Sequence, residues 1–176
     1  MLRPVRKGAL VLAIAASSAL LYGGSAQAEP TPAAPAPIAV EPLTPRAAFT
    51  EQTAMQFRLK LDGQSTDVIK TSDPSHIVTT KITVPPGAQF PWHTHHGPVL
   101  VTVLEGEMTY VLSSDCVGHR HPAGTAFVDQ GHEVHTAYNG TKAVTVLIAT
   151  FLEVPSGTAP LSIPTNTPPS CKIPTS

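Results

Sequence analysis

The chain has 176 residues, a length typical of one domain, with 11 basic and 12 acidic residues and a net charge of −1. Its Lys and Arg residues form neither the basic stripe that nucleic-acid binding requires nor the polybasic patch that favours anionic lipid. The composition therefore excludes nucleic acid as an expected partner and favours a small-molecule ligand or an ion.

The first 28 residues have the layout of a secretory signal peptide. Three basic residues precede an apolar run from Gly8 to Leu21, and a small-x-small site ends at Ala28. The apolar run is shorter than the roughly 20 residues that a spanning helix needs. We expect cleavage between Ala28 and Glu29, a secreted or periplasmic location, and no stable membrane anchor afterwards. An uncleaved anchor is the alternative.

Two Pro-rich segments flank the middle of the chain. Residues 29–46 are so dense in Pro and Ala that we expect a semi-rigid, exposed linker, which neither pairs as a sheet nor continues a helix. Residues 155–176 are rich in Pro, Ser and Thr and are expected to pack as a tail on the domain formed by residues 47–154.

The segment between them carries mostly β signals. Short runs of alternating or β-branched residues, separated by Gly and Pro, favour an all-β sandwich or small barrel. Asn139-Gly140 indicates a hairpin turn, and a weak helical pattern covers Pro45 to Met55. The predicted strands are 56–61, 77–84, 99–104, 108–112, 125–128, 134–138 and 143–152.

The sequence contains two cysteines, Cys116 and Cys171. An even pair in an exported chain predicts one disulfide, and two independent thiols are the alternative. Closing a loop of this length contributes on the order of 4 kcal/mol in the chain-entropy model.

Histidine is the most informative residue type, with eight in the chain. His93 and His95 are two residues apart, so on a strand both side chains point to one face, which they share with Val99, Val101 and Val103. Imidazoles without partners are costly to bury on such an apolar face. A bound metal is the simplest explanation, and a hydrogen-bonded histidine pair is the alternative.

The remaining histidines differ in their prospects as ligands. His135 lies in the middle of another predicted strand and is the expected third ligand. His132 stays open, because it could line the mouth of the site, reach the metal as a fourth ligand, or act in catalysis as a proton shuttle. His96 has the opposite strand parity and should point away. His119 and His121 are expected to be solvated loop residues.

Two stretches of the sequence resemble the two motifs of the cupin superfamily. The matching residues are Gly87, His93, His95 and Gly106 for the first motif, and Gly124, His135 and Asn139 for the second. The second motif lacks its proline and is one residue longer than usual between Gly131 and His135. The resemblance covers residues 77–152. It implies an all-β, cupin-type double-stranded β-helix or jelly-roll barrel, and it leaves open a homodimer formed through an edge strand.

One departure from the family concerns the metal. The glutamate of the first motif, usually a fourth ligand, would fall at Val99, which cannot coordinate. The resemblance therefore implies a three-histidine site with several open positions, or a metal-free cupin. The ligand would be a divalent transition metal, and imidazole ligands do not distinguish Fe, Mn, Zn, Ni and Cu.

Three functions fit these observations. The first is a metal-dependent dioxygenase or related oxidoreductase acting on a small, largely apolar substrate, although the pocket face offers no obvious general acid or base. The second is non-catalytic binding of a metal or small ligand. The third is a structural or assembly role, since the fold alone does not decide function.

Overall fold

The structure is a computed structural model of the chain and describes residues 34–60, 63–71, 73–168 and 170–173. The predicted signal peptide and its cleavage site lie outside these residues. The described residues form 13 strands and no helix, so in this part of the chain no helix has the length and hydropathy of a membrane span. The strands are β1 (Ala39–Pro42), β2 (Ala47–Ala48), β3 (Met55–Leu59), β4 (Asp67–Thr71), β5 (His76–Val84), β6 (His93–Thr94), β7 (Val99–Glu105), β8 (Glu107–Leu112), β9 (Gly118–Pro122), β10 (Ala126–Asp129), β11 (His135–Tyr138), β12 (Thr145–Val154) and β13 (Ile163–Pro164).

Two antiparallel sheets contain most of these strands. The first has the order β1-β5-β12-β7-β10, with β2 also paired to β5, and the second has the order β13-β6-β11-β8-β9. β3 and β4 form a separate hairpin. From β5 to β13 the chain passes repeatedly from one sheet to the other. This is the double-stranded β-helix, or jelly roll, that the sequence predicts.

The core lies between the two sheets. In β7, Val99, Val101 and Val103 are buried while the residues between them are exposed, which confirms the prediction from strand parity. Full burial of one such valine side chain stabilises the fold by about 1.5–3 kcal/mol. The other buried members of this core are Val78, Ile82, Val84, Ala88, Met108, Leu147, Ala149, Phe151 and Val154.

The predicted hairpin turn at Asn139-Gly140 is wrong, because the strands on either side of it, β11 and β12, belong to different sheets. Asn139 is fully buried instead. Its side-chain amide donates hydrogen bonds to the carbonyl oxygens of Val84 at 3.0 Å and Ala143 at 2.7 Å. Asn139 therefore connects the end of β5, through hydrogen bonds, to the segment that leads into β12.

The expectation that residues 29–46 do not pair in a sheet is wrong for Ala39–Pro42. This strand, β1, pairs with β5 at the edge of the first sheet, where a proline can be accommodated. The weak helix over Pro45 to Met55 is also wrong, because Ala47–Ala48 pairs with β5 as β2. Pairing with the sheet overrides the weak local preference in both places.

Cys116 and Cys171 form the predicted disulfide, across a sequence separation of 55 residues. Cys171 is buried against Trp92 and Val111. Close to it in the chain, β13 pairs with β6, and Pro164 lies opposite His93. The C-terminal segment is thus packed on the second sheet, directly beside the strand that carries the first candidate metal ligand.

Candidate metal centre

His93, His95 and His135 converge at one point in the barrel. β6 and β11 are neighbouring antiparallel strands in which His93 lies opposite His135. Residues opposite each other, or two apart on an extended backbone, share a face. One ring nitrogen from each histidine lies within 4.8 Å of the other two, and the three rings are buried or nearly so. The structure therefore brings together the three predicted ligands in a group that could hold a metal ion.

The backbone fixes how each ring presents its lone pair. The Nδ1 atom of His93 bonds the carbonyl oxygen of Pro91 at 2.6 Å, and that of His135 bonds the carbonyl oxygen of Glu133 at 2.8 Å. His95 Nδ1 bonds the carbonyl oxygen of Leu161, 66 residues further along the chain, at 2.7 Å. A carbonyl oxygen only accepts, so each Nδ1 carries the proton and donates. In the neutral rings every Nε2 then offers a free lone pair to the centre, the state that metal binding requires.

An acidic residue that sequence reasoning missed, Asp129, also faces this centre. It is the last residue of β10, and its Oδ2 atom lies 2.9 Å from His135 Nε2 and 3.4 Å from His95 Nε2. Its other oxygen, Oδ1, accepts hydrogen bonds from the Gly131 amide at 2.8 Å and the Tyr110 hydroxyl at 3.3 Å. The alternation of the predicted strand 125–128, continued by one residue, would have placed this side chain inward beside Phe127.

The centre is electrostatically incomplete with protein atoms alone. Among the described residues, His135 Nε2 is buried and has no hydrogen-bond partner, although a carboxylate oxygen is close to it. Two lone pairs that face each other repel unless a cation lies between them, and that cation is either a proton on the ring or a metal. Three imidazoles and a carboxylate are donors that suit divalent transition metals. The residues present therefore fit such an ion.

The pKa values of the centre reflect burial and the single carboxylate. Burial, reinforced by His135 and His95, lowers the pKa of His93 to about 4. Burial alone would raise the pKa of Asp129, but the contacts with His135 and His95 hold it well below its usual range. Burial likewise opposes the charge on His135, yet Asp129 raises the pKa of that ring. His93 therefore stays neutral, and Asp129 ionised, over the physiological range.

A cavity of about 130 Å³ adjoins the three histidines. Its walls are mostly apolar, and Val99 and Val101 line it as expected, while Val103 belongs to the core behind. The other apolar residues that line it are Val40, Ile82, Phe90, Met108, Phe127, Ala137, Leu147, Ala149, Phe151 and Leu161. An apolar cavity of about 150 Å³ accommodates benzene, so this space suits a small molecule.

His132, which the sequence left open as a catalytic residue or fourth ligand, lies apart from the centre. Its side chain is 63% exposed, and its Nε2 atom is 3.9 Å from Asp67 Oδ2 on the β3–β4 hairpin. Its Nδ1 atom bonds the carbonyl oxygen of Gln130 at 3.1 Å. His96 is exposed, as its strand parity predicts. The structure joins neither residue to the three-histidine group.

The expectation of solvated loop histidines at positions 119 and 121 is wrong. Both lie on β9, at the edge of the second sheet, and both are partly buried. His119 Nε2 lies 2.9 Å from Asp115 Oδ2, and the His121 ring stacks on Phe127 with centroids 4.0 Å apart. One face of this strand is open to solvent, so its sequence is polar. A polar sequence of this kind does not indicate a strand.

Comparisons with known proteins agree with this architecture. The family profile described as "Cupin domain" matches residues 80–151, which include all three histidines and Asp129. A search of curated proteins finds no match.

Several solved structures are similar to the chain. A cupin domain of an XRE-family transcriptional regulator from Enterobacter cloacae is 16% identical with a TM-score of 0.45, over 67% of this chain and 97% of that one. A double-stranded β-helix protein from Klebsiella pneumoniae is 21% identical with a TM-score of 0.39, over 42% of this chain and 64% of that one. The polyketide cyclase RemF from Streptomyces resistomycificus is 21% identical with a TM-score of 0.44, over 52% and 61%. The chain thus spans less than two thirds of the last two proteins.

The family match and the fold support the same assignment. Residues 80–151 contain the parts of both motifs that carry histidine, and these stand on neighbouring strands of a double-stranded β-helix. The match over residues 80–151 supports membership of the chain in the cupin superfamily.

Proposed function

We propose that the mature chain is an exported cupin that binds a divalent transition metal through His93, His95 and His135, and that it acts as a dioxygenase on a small, largely apolar molecule. The observation that carries the metal site is the convergence of three Nε2 atoms whose Nδ1 partners are all fixed by backbone carbonyls. Among the candidate metals, Zn has no redox chemistry, so the dioxygenase hypothesis favours Fe, Mn, Ni or Cu.

The residues around the centre have defined tasks in this proposal. A metal bound there would supply a Lewis acid and a redox centre next to the cavity. Phe90, Val101 and Phe151 line the cavity, and their apolar side chains would limit the access of water to it. Insertion of both atoms of dioxygen into the substrate balances atoms and electrons without an external reductant. A cavity of about 130 Å³ limits the substrate, or the part of it that enters, to roughly the size of one aromatic ring.

Metal analysis combined with oxygen uptake tests the proposal. The mature protein, His135→Ala and the control His96→Ala are loaded with Fe²⁺ or Mn²⁺ under the same conditions and assayed with small diketones and phenols. We expect one metal per chain in the wild type and the control, little metal in His135→Ala, and oxygen uptake only by the first two. A wild-type chain that retains no metal would contradict both metal binding and the oxygenase.

Non-catalytic capture of a metal or small ligand is the second candidate. The observation that favours it is Asp129, whose carboxylate stands within 3.4 Å of two of the three Nε2 atoms and so leaves less space for a substrate at the metal. Bound metal without oxygen uptake in the same experiment would support this candidate over the dioxygenase.

Export is the remaining part of the proposal. A disulfide between Cys116 and Cys171 is compatible with an oxidising, extracellular compartment. N-terminal sequencing of the exported protein should begin at Glu29, and an uncleaved N-terminus would contradict the predicted signal. A homodimer formed through an edge strand and the expectation of no nucleic-acid partner stay predictions.

A further inference from the structure

The register between β7 and β10 indicates which residue can supply the carboxylate that Val99, in the first cupin motif, does not. These two strands are antiparallel neighbours, and Asp129 lies directly opposite Val99. Side chains opposite each other in an antiparallel pair point to the same face. Both residues are buried and both line the cavity beside the three histidines. A carboxylate is therefore present on the face where position 99 would have supplied one, but it comes from the adjacent strand.

We infer that Asp129 is a fourth metal ligand, which takes the place of the glutamate expected at position 99 and reaches the metal from β10 instead of β7. This inference rests on the metal binding proposed above and adds a ligand to it. The resulting site has three imidazoles and one carboxylate.

The distances around Oδ2 are compatible with atoms that share a metal. This oxygen is 2.9 Å from His135 Nε2 and 3.4 Å from His95 Nε2. Nitrogen and oxygen ligands that each lie about 2.0–2.2 Å from one ion are roughly 3–3.5 Å from each other in tetrahedral and octahedral sites. Ligand atoms already at this spacing need little rearrangement to bind.

Hydrogen bonds to the other carboxylate oxygen orient the group. Oδ1 accepts from the Gly131 amide at 2.8 Å and from the Tyr110 hydroxyl at 3.3 Å. Neither of these donors bonds Oδ2, so Oδ2 remains available toward the centre. Asp129 would thus bind through one oxygen, held by the same kind of outer contact that orients the imidazoles.

The competing explanation is a purely structural ion pair, in which His135 carries a second proton and Asp129 is its counter-ion. In that case the carboxylate would compete with a metal rather than bind it, and removing its charge would leave metal affinity unchanged or raise it. Coordination predicts the opposite sign, which makes the two explanations separable by one substitution.

A fourth ligand with a negative charge also narrows the substrate class. Three neutral imidazoles leave the full charge of a divalent ion uncompensated, whereas a carboxylate reduces the net charge of the site to about +1. This weakens the attraction for dianions. Together with the apolar lining of the cavity, it favours neutral or singly charged small molecules.

Cobalt binding to the mature protein tests the inference without an activity assay. Co²⁺ affinity is measured by competition with a chelator, and the ligand-field absorption of the loaded protein is recorded. We expect Asp129→Asn to weaken Co²⁺ binding by about 10–100-fold and to change the absorption spectrum. The matched control Asp115→Asn, at the partly buried carboxylate next to His119, should leave affinity and spectrum unchanged.

A second variant moves the carboxylate back across the strand pair. Val99→Glu combined with Asp129→Asn should regain most of the lost Co²⁺ affinity, because both positions face the same centre. A folded double variant that regains nothing would contradict the exchange of positions. If Asp129→Asn does not fold, Asp129→Glu replaces it, and an unchanged spectrum in that variant would overturn coordination.

The outcomes separate this inference from the proposed function. Wild-type protein that binds Co²⁺, with wild-type affinity and spectrum in Asp129→Asn, would overturn the fourth ligand and leave the three-histidine site standing. Wild-type protein that does not bind Co²⁺ would overturn the metal site itself, and the fourth ligand with it.

Discussion

Two histidine–aspartate pairs in the described chain have the same separation and different surroundings. His135 Nε2 lies 2.9 Å from Asp129 Oδ2, and His119 Nε2 lies 2.9 Å from Asp115 Oδ2. The His119 pair is a hydrogen bond at the partly exposed edge of the second sheet. In the His135 pair, Nδ1 already donates to a carbonyl, so the neutral ring has no proton left for the carboxylate. Distance alone does not distinguish a structural pair from a metal site.

The partners of the two carboxylates explain the difference. Partial burial would raise the pKa of Asp115, but the Val117 amide and the side chains of His119 and Gln64 outweigh it and lower that pKa. Asp115 is thereby satisfied by protein donors. Asp129 has donors on Oδ1 only, and its Oδ2 faces two Nε2 atoms that are free of protons in the neutral rings. A histidine–aspartate pair indicates a metal site when the second nitrogen of the ring is already bonded and further rings converge on the same point.

The largest effect should separate the two pairs by metal-dependent stability. A ligand at about 1,000 times its Kd stabilises the folded state by about 4 kcal/mol. We expect Zn²⁺ to raise the free energy of unfolding by that order in the wild type and in His119→Gln, and by less than about 1 kcal/mol in His135→Gln. Urea unfolding with and without Zn²⁺ measures it. If His119→Gln and His135→Gln lost the same amount of Zn²⁺-dependent stabilisation, the two histidine–aspartate pairs would be equivalent in metal binding.

Removal of the disulfide should affect both the stability of the barrel and metal binding at the three histidines. Replacing both Cys116 and Cys171 by Ser should lower the free energy of unfolding by about 2–4 kcal/mol, since the bond restrains a long loop in the unfolded chain. It should also weaken metal binding, because the C-terminal segment supplies the Leu161 carbonyl that orients His95. Urea unfolding and Zn²⁺ titration measure the two effects. Unchanged metal affinity in the destabilised variant would show that this carbonyl stays in place without the disulfide.

Acidification should destabilise the metal-free protein through His93. Its pKa is about 4 in the folded chain, against 6.5 for an unperturbed histidine. Below pH 6.5 the unfolded chain therefore takes up a proton that the folded chain refuses until about pH 4. Stability present above pH 6.5 should fall across this window, by about 3 kcal/mol at most.

The matched variant isolates this histidine. His135 acts in the opposite sense, because Asp129 raises its pKa, so the wild-type profile contains both contributions. Urea unfolding of wild type and His93→Gln from pH 7 to pH 4 should show a gap that closes as the pH falls. His96→Gln, which replaces an exposed histidine, should follow the wild type. A gap that does not vary with pH would contradict burial of a neutral His93.

A smaller effect should come from the hydroxyl that orients Asp129. Tyr110→Phe removes the hydrogen bond to Oδ1 and should cost about 1 kcal/mol of stability. It should also weaken Zn²⁺ binding several-fold, because the carboxylate loses part of its support. Tyr138→Phe, on the same sheet but outside the cavity lining, is the control for losing a tyrosine hydroxyl. Equal Zn²⁺ affinities in the two variants would show that the Tyr110 hydroxyl does not contribute to metal binding.

The sequence predicted most of the centre because its signals are local. Strand parity joins His93 to His95, and motif spacing adds His135 on another strand. Asp129 escaped because its importance depends on β10 lying next to β7, a pairing between distant segments that no local pattern reveals. The edge strands β1 and β9 escaped for a related reason. Their composition is Pro-rich or polar, and only their neighbours in the sheet make them strands.

X-ray absorption at the metal edge of the reconstituted mature protein tests the central claim most directly, because it counts the ligands of the ion. We expect one metal per chain, with three imidazole nitrogens and at least one oxygen at about 2.0–2.2 Å. His119→Gln should give the same spectrum. A first shell with fewer than three imidazoles, or a chain that retains no metal at all, would contradict a metal centre built on His93, His95 and His135.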